Sequence, residues 1–220
     1  MITYNKAATA TMAAVIVLSA GAAGATAWKF ATDNAKANQP VDHFRQRVNA
    51  INSQADQMQA ETIIIGDSLT EFARIDSLCG GAVLNAGISS ASIQDTSRWA
   101  GELIERSKAK RVIFAIGSNN AKNHLAARPV DEAMKTYRQI ITNAKGRDIA
   151  IATLPAISET REGFKASYID DLNAGIRTLA AEVGVPVVEL DQDLPTIDGI
   201  HLTADAYKIW RAQMGTVCKV

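Results

Sequence analysis

The stretch "ETIIIGDSLTEF", Glu61 to Phe72, decides how this chain is read. Its apolar run, Ile63-Ile64-Ile65, empties directly into Gly66-Asp67-Ser68. An unbroken run of β-branched residues suits a strand covered on both faces, and Gly-Asp-Ser suits the turn at its end. Such a turn presents the Ser68 hydroxyl at the mouth of a sheet. Two roles are open to it. Ser68 can be the N-cap of a helix running toward Phe72, with Glu71 completing a capping box. It can also be a nucleophile. The Gly-x-Ser-x-Gly elbow is excluded, because Thr70 stands where the second glycine belongs.

Downstream of this strand, apolar runs alternate with helical patterns. Strands are predicted at Thr62–Ile65, Ala82–Leu84, Arg111–Ile116, Asp148–Leu154 and Val185–Leu190. Helices are predicted at Ile93–Ser107, Val130–Ala144, Tyr168–Val183 and Ala204–Thr216, with Gly146 and Gly184 at helix ends. Strict alternation of this kind implies an open parallel sheet with helices on both faces. Ligands of such sheets bind beyond the carboxyl ends of the strands.

The residues at those ends are polar, small or titratable. The first strand leads into Gly66-Asp67-Ser68, the second into Asn85-Ala86-Gly87 and the third into Gly117-Ser118-Asn119-Asn120. Asp198-Gly199-Ile200-His201 follows the fifth. Together they supply a hydroxyl, an imidazole, a carboxylate and hydrogen-bond donors, the parts of an acyl-transfer site. Asp198 would orient His201, and His201 would take the proton of Ser68. Gly87 N–H and the Asn119 amide would stabilise the charge that develops on a carbonyl oxygen. Each fragment alone also has an ordinary reading as a turn or a cap. His43 lies before the first strand, and His124 could approach from a loop.

The four blocks "GDSLT", "NAGIS", "GSNN" and "DGIHLT" stand in the order found in the SGNH hydrolases, also called GDSL esterases/lipases, and the chain resembles that family from Glu61 to about Thr216. The resemblance implies a three-layer, flavodoxin-like α/β fold with an open parallel five-stranded sheet. It implies a catalytic set of Ser68, Asp198 and His201, and an oxyanion hole from the N–H groups of Ser68 and Gly87 with the Asn119 side chain. It implies no metal and no organic cofactor. Asn120 departs from the family, in which Asp is common at this position. The expected reaction is hydrolysis of a carboxylic ester through an acyl-enzyme on Ser68, with activity rising as His201 becomes neutral. Transfer of the acyl group to a glycan, a lysophospholipase or thioesterase activity, and an inactive membrane-tethered binding protein are the alternatives. A short acyl group, on an O-acetylated carbohydrate or another small molecule, is the preferred substrate. The segment Pro155–Phe164 is the expected pocket-lining loop. Its Arg161 is either a solvated charge or a group for an anionic or sugar moiety.

The rest of the 220 residues frames this domain. Lys and Arg together equal Asp and Glu, 23 each. That balance argues against a broad nucleic-acid surface, and no nucleic-acid partner is expected. Residues 7–28 carry no charge, and as a helix they would reach about 33 Å against a hydrocarbon core of roughly 30 Å. Set against a buried soluble helix, which the lack of a polar face disfavours, residues 1–28 read either as an uncleaved anchor with Trp28 at the interface, which is preferred, or as a signal peptide cleaved after Ala25-Thr26-Ala27. Either places the domain outside the cytoplasm, in the periplasm or at the cell surface. Residues 29–60 read as a polar linker. Val41, Phe44, Val48, Ile51, Ala55 and Met58 form an apolar stripe that fits a helix packed on the 61–220 domain, or a short dimerising stalk. Cys79 and Cys218 have no metal spacing and read first as two buried or idle thiols, and outside the cytoplasm a disulfide between them becomes possible.

Overall fold

The computed structural model describes residues 42–219. The predicted anchor or signal peptide, the cleavage pattern and Val41 lie outside the described residues. Within them the order is α1 (His43–Gln57), β1 (Thr62–Gly66), α2 (Ser68–Phe72), β2 (Ser77–Leu78), β3 (Gly81–Gly87), α3 (Ile93–Thr96) and α4 (Ala100–Ser107). Then come β4 (Arg111–Ala115), a 3₁₀ turn (Ser118–Ala121), α5 (Val130–Asn143), β5 (Asp148–Ala152), α6 (Ser167–Val183), β6 (Val187–Val188) and α7 (Ala204–Met214). A 3₁₀ turn at Gly215–Lys219 follows. Among the described residues, no helix is long and apolar enough to cross a membrane.

The sheet has six strands in the order β2-β3-β1-β4-β5-β6. The five predicted strands are present and parallel. The sixth, β2, pairs antiparallel to β3 through a turn at Cys79 and Gly80, both at positive φ. Two residues are too few to show a period, so the expected five-stranded, all-parallel sheet is corrected to a six-stranded, mostly parallel one. Every residue of β1 is buried. Successive side chains of a strand point to opposite faces, so the sheet is covered on both.

The predicted helix Ile93–Ser107 is split into α3 and α4. Ser92 caps α3 in a capping box with Asp95. The N–H groups of Arg98 and Trp99 then reach back only three residues, to Asp95 and Thr96, and that tightening breaks the run before Ala100. α1 packs on the domain, as its stripe predicts. Ile51 and Ala55 are buried, and Phe44, Val48 and Met58 lean on the same core.

Register places the site. Gly66 lies opposite Gly87 on β3 and Ala115 on β4, so three strands end at one level. From β1 the chain goes first to β3 on one side, then to β4 on the other. The carboxyl ends at this reversal are where α/β sheets bind ligands.

At the opposite end of the sheet, Cys79 and Cys218 are joined in a disulfide. It ties the β2–β3 turn to the C-terminal 3₁₀ turn across a sequence separation of 139. A loop of that length corresponds to about 5 kcal/mol of stabilisation in the chain-entropy account. Reduction is expected to lower the melting temperature by about 10–20 °C. Calorimetric scans with and without dithiothreitol check this, and an unchanged melting temperature would count against the bridge.

Candidate active site

Ser68 is the first residue of α2, not its cap. The cap is Asp67, whose Oδ1 accepts the Leu69 N–H at 3.0 Å. Asp67 is fully buried. Its Oδ2 accepts the N–H groups of Ser118 at 3.0 Å and Gly117 at 3.4 Å. Burial pushes its carboxyl pKa up, and these N–H groups oppose the shift. Asp67 thus fastens the start of α2 to the loop that carries Asn119. Glu71 completes no capping box. Its Oε2 accepts the Ser89 N–H, and Oε1 lies 3.0 Å from His43 Nε2.

The structure brings Ser68, His201 and Asp198 together. Ser68 Oγ lies 3.0 Å from His201 Nε2, and His201 Nδ1 lies 2.8 Å from Asp198 Oδ2. Asp198 Oδ1 accepts the backbone N–H groups of His201 at 2.9 Å and Ile200 at 3.2 Å. Partial burial works against the charge on Asp198. The His201 N–H, the imidazole and the Ile200 N–H outweigh it and hold the carboxyl at about 2. An ionised carboxylate can only accept, so Nδ1 carries the hydrogen. In the neutral imidazole Nε2 is then the acceptor, and it faces the Ser68 hydroxyl. The turn is held from behind by Pro155–Phe164, where the Ser158 N–H donates to Gly199 O at 2.8 Å. Arg161 packs in that loop, its guanidinium 6.0 Å from the Phe164 ring centroid.

The expected oxyanion donors divide. Asn119 is buried and follows Ser118, whose N–H is held by Asp67, and one of its amide hydrogens goes to Ala91 O at 3.0 Å. An Asn amide has two hydrogens, so one remains. Gly87 does not fit the role expected of it. Ala82 O and Ile88 N–H bond to Glu61 and Gly66, so the even residues of β3 face β1. By alternation the Gly87 N–H points to the outer edge of the sheet, where it donates to Asn85 Oδ1 at 3.0 Å. Gly87 is required for another reason. A Cβ there would lie 2.1 Å from Glu71 N, inside the backbone of α2. Gly66 is similar, since its Cβ would lie 2.0 Å from Thr70 Oγ1.

Residues beyond the expected set complete the arrangement. The Asn85 amide donates to Thr70 O at 2.8 Å and Ala73 O at 2.9 Å, fixing α2 to β3. Asn120, where the family commonly has Asp, accepts the Ile93 N–H at 2.9 Å and donates to Gln94 Oε1 at 2.8 Å. It therefore uses both halves of an amide at the start of α3. Asn85 stood in a motif block but carried no signal of its role, because its partners lie on another element. His124 is exposed and makes no hydrogen bond to Ser68. Among the described residues, two of the three exposed large apolar ones adjoin His201. The Phe72 ring lies 5.2 Å from the imidazole, and Ile197 N–H donates to His201 O. Among the described residues, no cluster of His, Cys, Asp and Glu is arranged to hold a metal ion.

The sequence profile of the GDSL-like Lipase/Acylhydrolase family matches residues 64–209. No curated protein matches the chain. Similar solved structures include a GDSL-like lipase from Bacteroides thetaiotaomicron, 20% identical at a TM-score of 0.63, covering 87% of this chain and 96% of that one. A lipase/acylhydrolase from Enterococcus faecalis is 17% identical at a TM-score of 0.60, with 70% and 93% covered. A catalytic mutant of an acetylxylan esterase from Geobacillus stearothermophilus is 17% identical at a TM-score of 0.60, with 73% and 96% covered. At these identities the structures speak for the shared fold, and the profile match speaks for membership. The chain belongs to the GDSL-like lipase/acylhydrolase family, hydrolases that act on ester bonds.

Proposed function

We propose that the chain is a serine esterase that removes a short acyl group, such as acetyl, from a carbohydrate or similar small alcohol. The observation that carries this reading is the continuous hydrogen-bonded path from Ser68 Oγ through His201 to Asp198. Ser68 Oγ attacks the ester carbonyl carbon as its proton passes to His201 Nε2. The tetrahedral intermediate collapses when the imidazolium returns that proton to the leaving alkoxide. Water, activated by the same nitrogen, then releases the acid from the acyl-enzyme. Asp198 keeps Nδ1 protonated throughout and offsets the charge of the imidazolium.

The oxyanion is held by the Ser68 N–H, the free Asn119 amide hydrogen and, in place of Gly87, the Ser90 N–H. Three observations support Ser90. Its φ of +67° is strained for a residue with a side chain. Its N–H meets no acceptor among the described residues. The next carbonyl, Ala91 O, is bonded to the Asn119 amide. Phe72 offers an exposed aromatic face beside the imidazole that serves the leaving group, which suits the apolar face of a sugar ring. Acetylxylan esterases among the similar structures favour the same substrate class. The Cys79–Cys218 bridge suits an oxidising compartment, in keeping with an N-terminal segment that carries the domain out of the cytoplasm.

Ser68→Ala is expected to lower kcat by about 10⁴-fold or more with an unchanged melting temperature. Retention of most esterase activity would reject the nucleophile. Asn119→Ala should cost about 10²–10³ in kcat, read in steady-state kinetics on p-nitrophenyl acetate. Asp198→Asn should cost up to about 10⁴, because the imidazole loses the partner that sets its tautomer. The sign of the pH effect follows from the depressed Asp198 pKa. Its carboxylate stays charged as pH falls, and its contribution is lost only near about 2. Asp198 should therefore add no ionisation of its own to the wild-type acid limb above about pH 3.5. Two resolved ionisations in that range would contradict this. Across p-nitrophenyl esters of rising chain length, kcat/KM should fall beyond butyrate, and a preference for long chains would replace the proposed substrate with a lipid.

A further inference from the structure

α1 lies N-terminal to the segment matched by the family profile, yet it reaches the active-site end of the sheet. Arg47 is the contact. Its Nε–H donates to Gly87 O at 3.0 Å and its Nη2–H to Asn85 O at 3.0 Å. The same guanidinium stands 3.8 Å from Glu71 Oε1, and its side chain is only 20% exposed. The backbone explains why a cation is needed there. β2 pairs with Gly81 and Ala82, and Asp76 O accepts the Val83 N–H, so from Leu84 onward the outer edge of β3 has no strand partner. Residues 85 and 87 are two apart, and their carbonyls point out of that same edge. A planar guanidinium can span two such acceptors, which the single charge of a lysine cannot.

Glu71 closes the arrangement. It sits one turn after Ser68 on α2, and it accepts the Ser89 N–H in the turn after β3. Burial raises its pKa, but the Ser89 contacts and His43 outweigh it, so the carboxyl lies below its ordinary value. His43 and Arg47, both from α1, are the nitrogen-bearing side chains that face it. Arg47 thus grips the carbonyls just before the Ile88–Ala91 turn, Glu71 grips an N–H within it, and Asn119 holds its last carbonyl.

We propose that Arg47 is a positioning residue for the esterase reaction, and that α1 acts as a brace setting the Ile88–Ala91 turn against the nucleophile helix. This rests on the reading of Ser68 as nucleophile. Displacement of a donor-bearing turn by about 1 Å is enough to cost roughly 10²-fold in rate.

The test uses the 220-residue chain with p-nitrophenyl acetate and a fluorophosphonate probe, whose adduct on Ser68 resembles the tetrahedral intermediate. Arg47→Ala should lower kcat and the labelling rate by about ten- to a hundredfold, with KM within about threefold. Added methylguanidinium should restore a substantial part of the lost kcat, and Arg47→Lys should restore little. Wild-type kcat and labelling in a folded Arg47→Ala protein would overturn the brace, as would a loss that methylguanidinium leaves untouched. If Arg47→Ala does not fold, Arg47→Gln, which keeps part of the alkyl stem and one donor nitrogen, carries the same measurements, and unreduced kcat there overturns the proposal. Absence of Ser68 labelling in the wild type would instead reject the nucleophile assignment, which separates the two failures.

Discussion

The close approach of α2 to the ends of β1 and β3 is the constraint on which the site depends. Gly66 lets the chain turn against Thr70 and the Ala115 carbonyl, and Gly87 lets the α2 backbone rest on β3. A methyl group at either position would fall well inside contact distance of its neighbours. Because Gly66 and Gly87 are also register partners, both clearances occur at one level of the sheet. Ser68 then emerges beside the turn after β3 and the loop after β4.

Polar groups convert that fit into a fixed geometry. Asp67 gathers N–H groups from α2 and from the loop after β4, and Asn85 ties α2 to β3. Burying Asp67 raises its carboxyl pKa. A raised carboxyl pKa contributes stability at low pH that is lost as pH rises through it, so Asp67 favours the fold less once ionised. Its N–H partners limit that cost. Glu71 and Asp198 have the opposite sign, each lowered by nearby donors and contributing stability above the ordinary carboxylate range. Carboxylates near Ser68 thus divide into one that organises loops from within the protein and two, partly buried, whose donors outweigh the burial.

Much of this was legible in the sequence, and the limits were specific. Ser68, Asp198, His201 and Asn119 could be picked out because each sits at a strand exit or before the last helix, where alternation of strands and helices gathers side chains. β2 could not be seen, since two residues have no period. The break at Trp99 depends on three-residue hydrogen bonds that the apolar spacing does not record. Gly87 stands out in the sequence, but the direction of its N–H does not. Its N–H faces the outer sheet edge, a direction set by pairing with β1. Arg47 gave no motif signal, because its partners are backbone carbonyls distant in the chain.

By itself the sequence determined the α/β class, the order of elements and the residue types waiting at each strand end. Those follow from local patterning, in which apolar runs, caps and turns act over a few residues. Tertiary structure decided which of those groups meet, which N–H groups remain free and where a charge is tolerated. These depend on register, edge and burial, which arise only when segments far apart in the chain are packed together. Ser68 shows the division most clearly. Its place after a buried strand is written in "IIIGDS", while its partnership with His201 exists only in the folded domain.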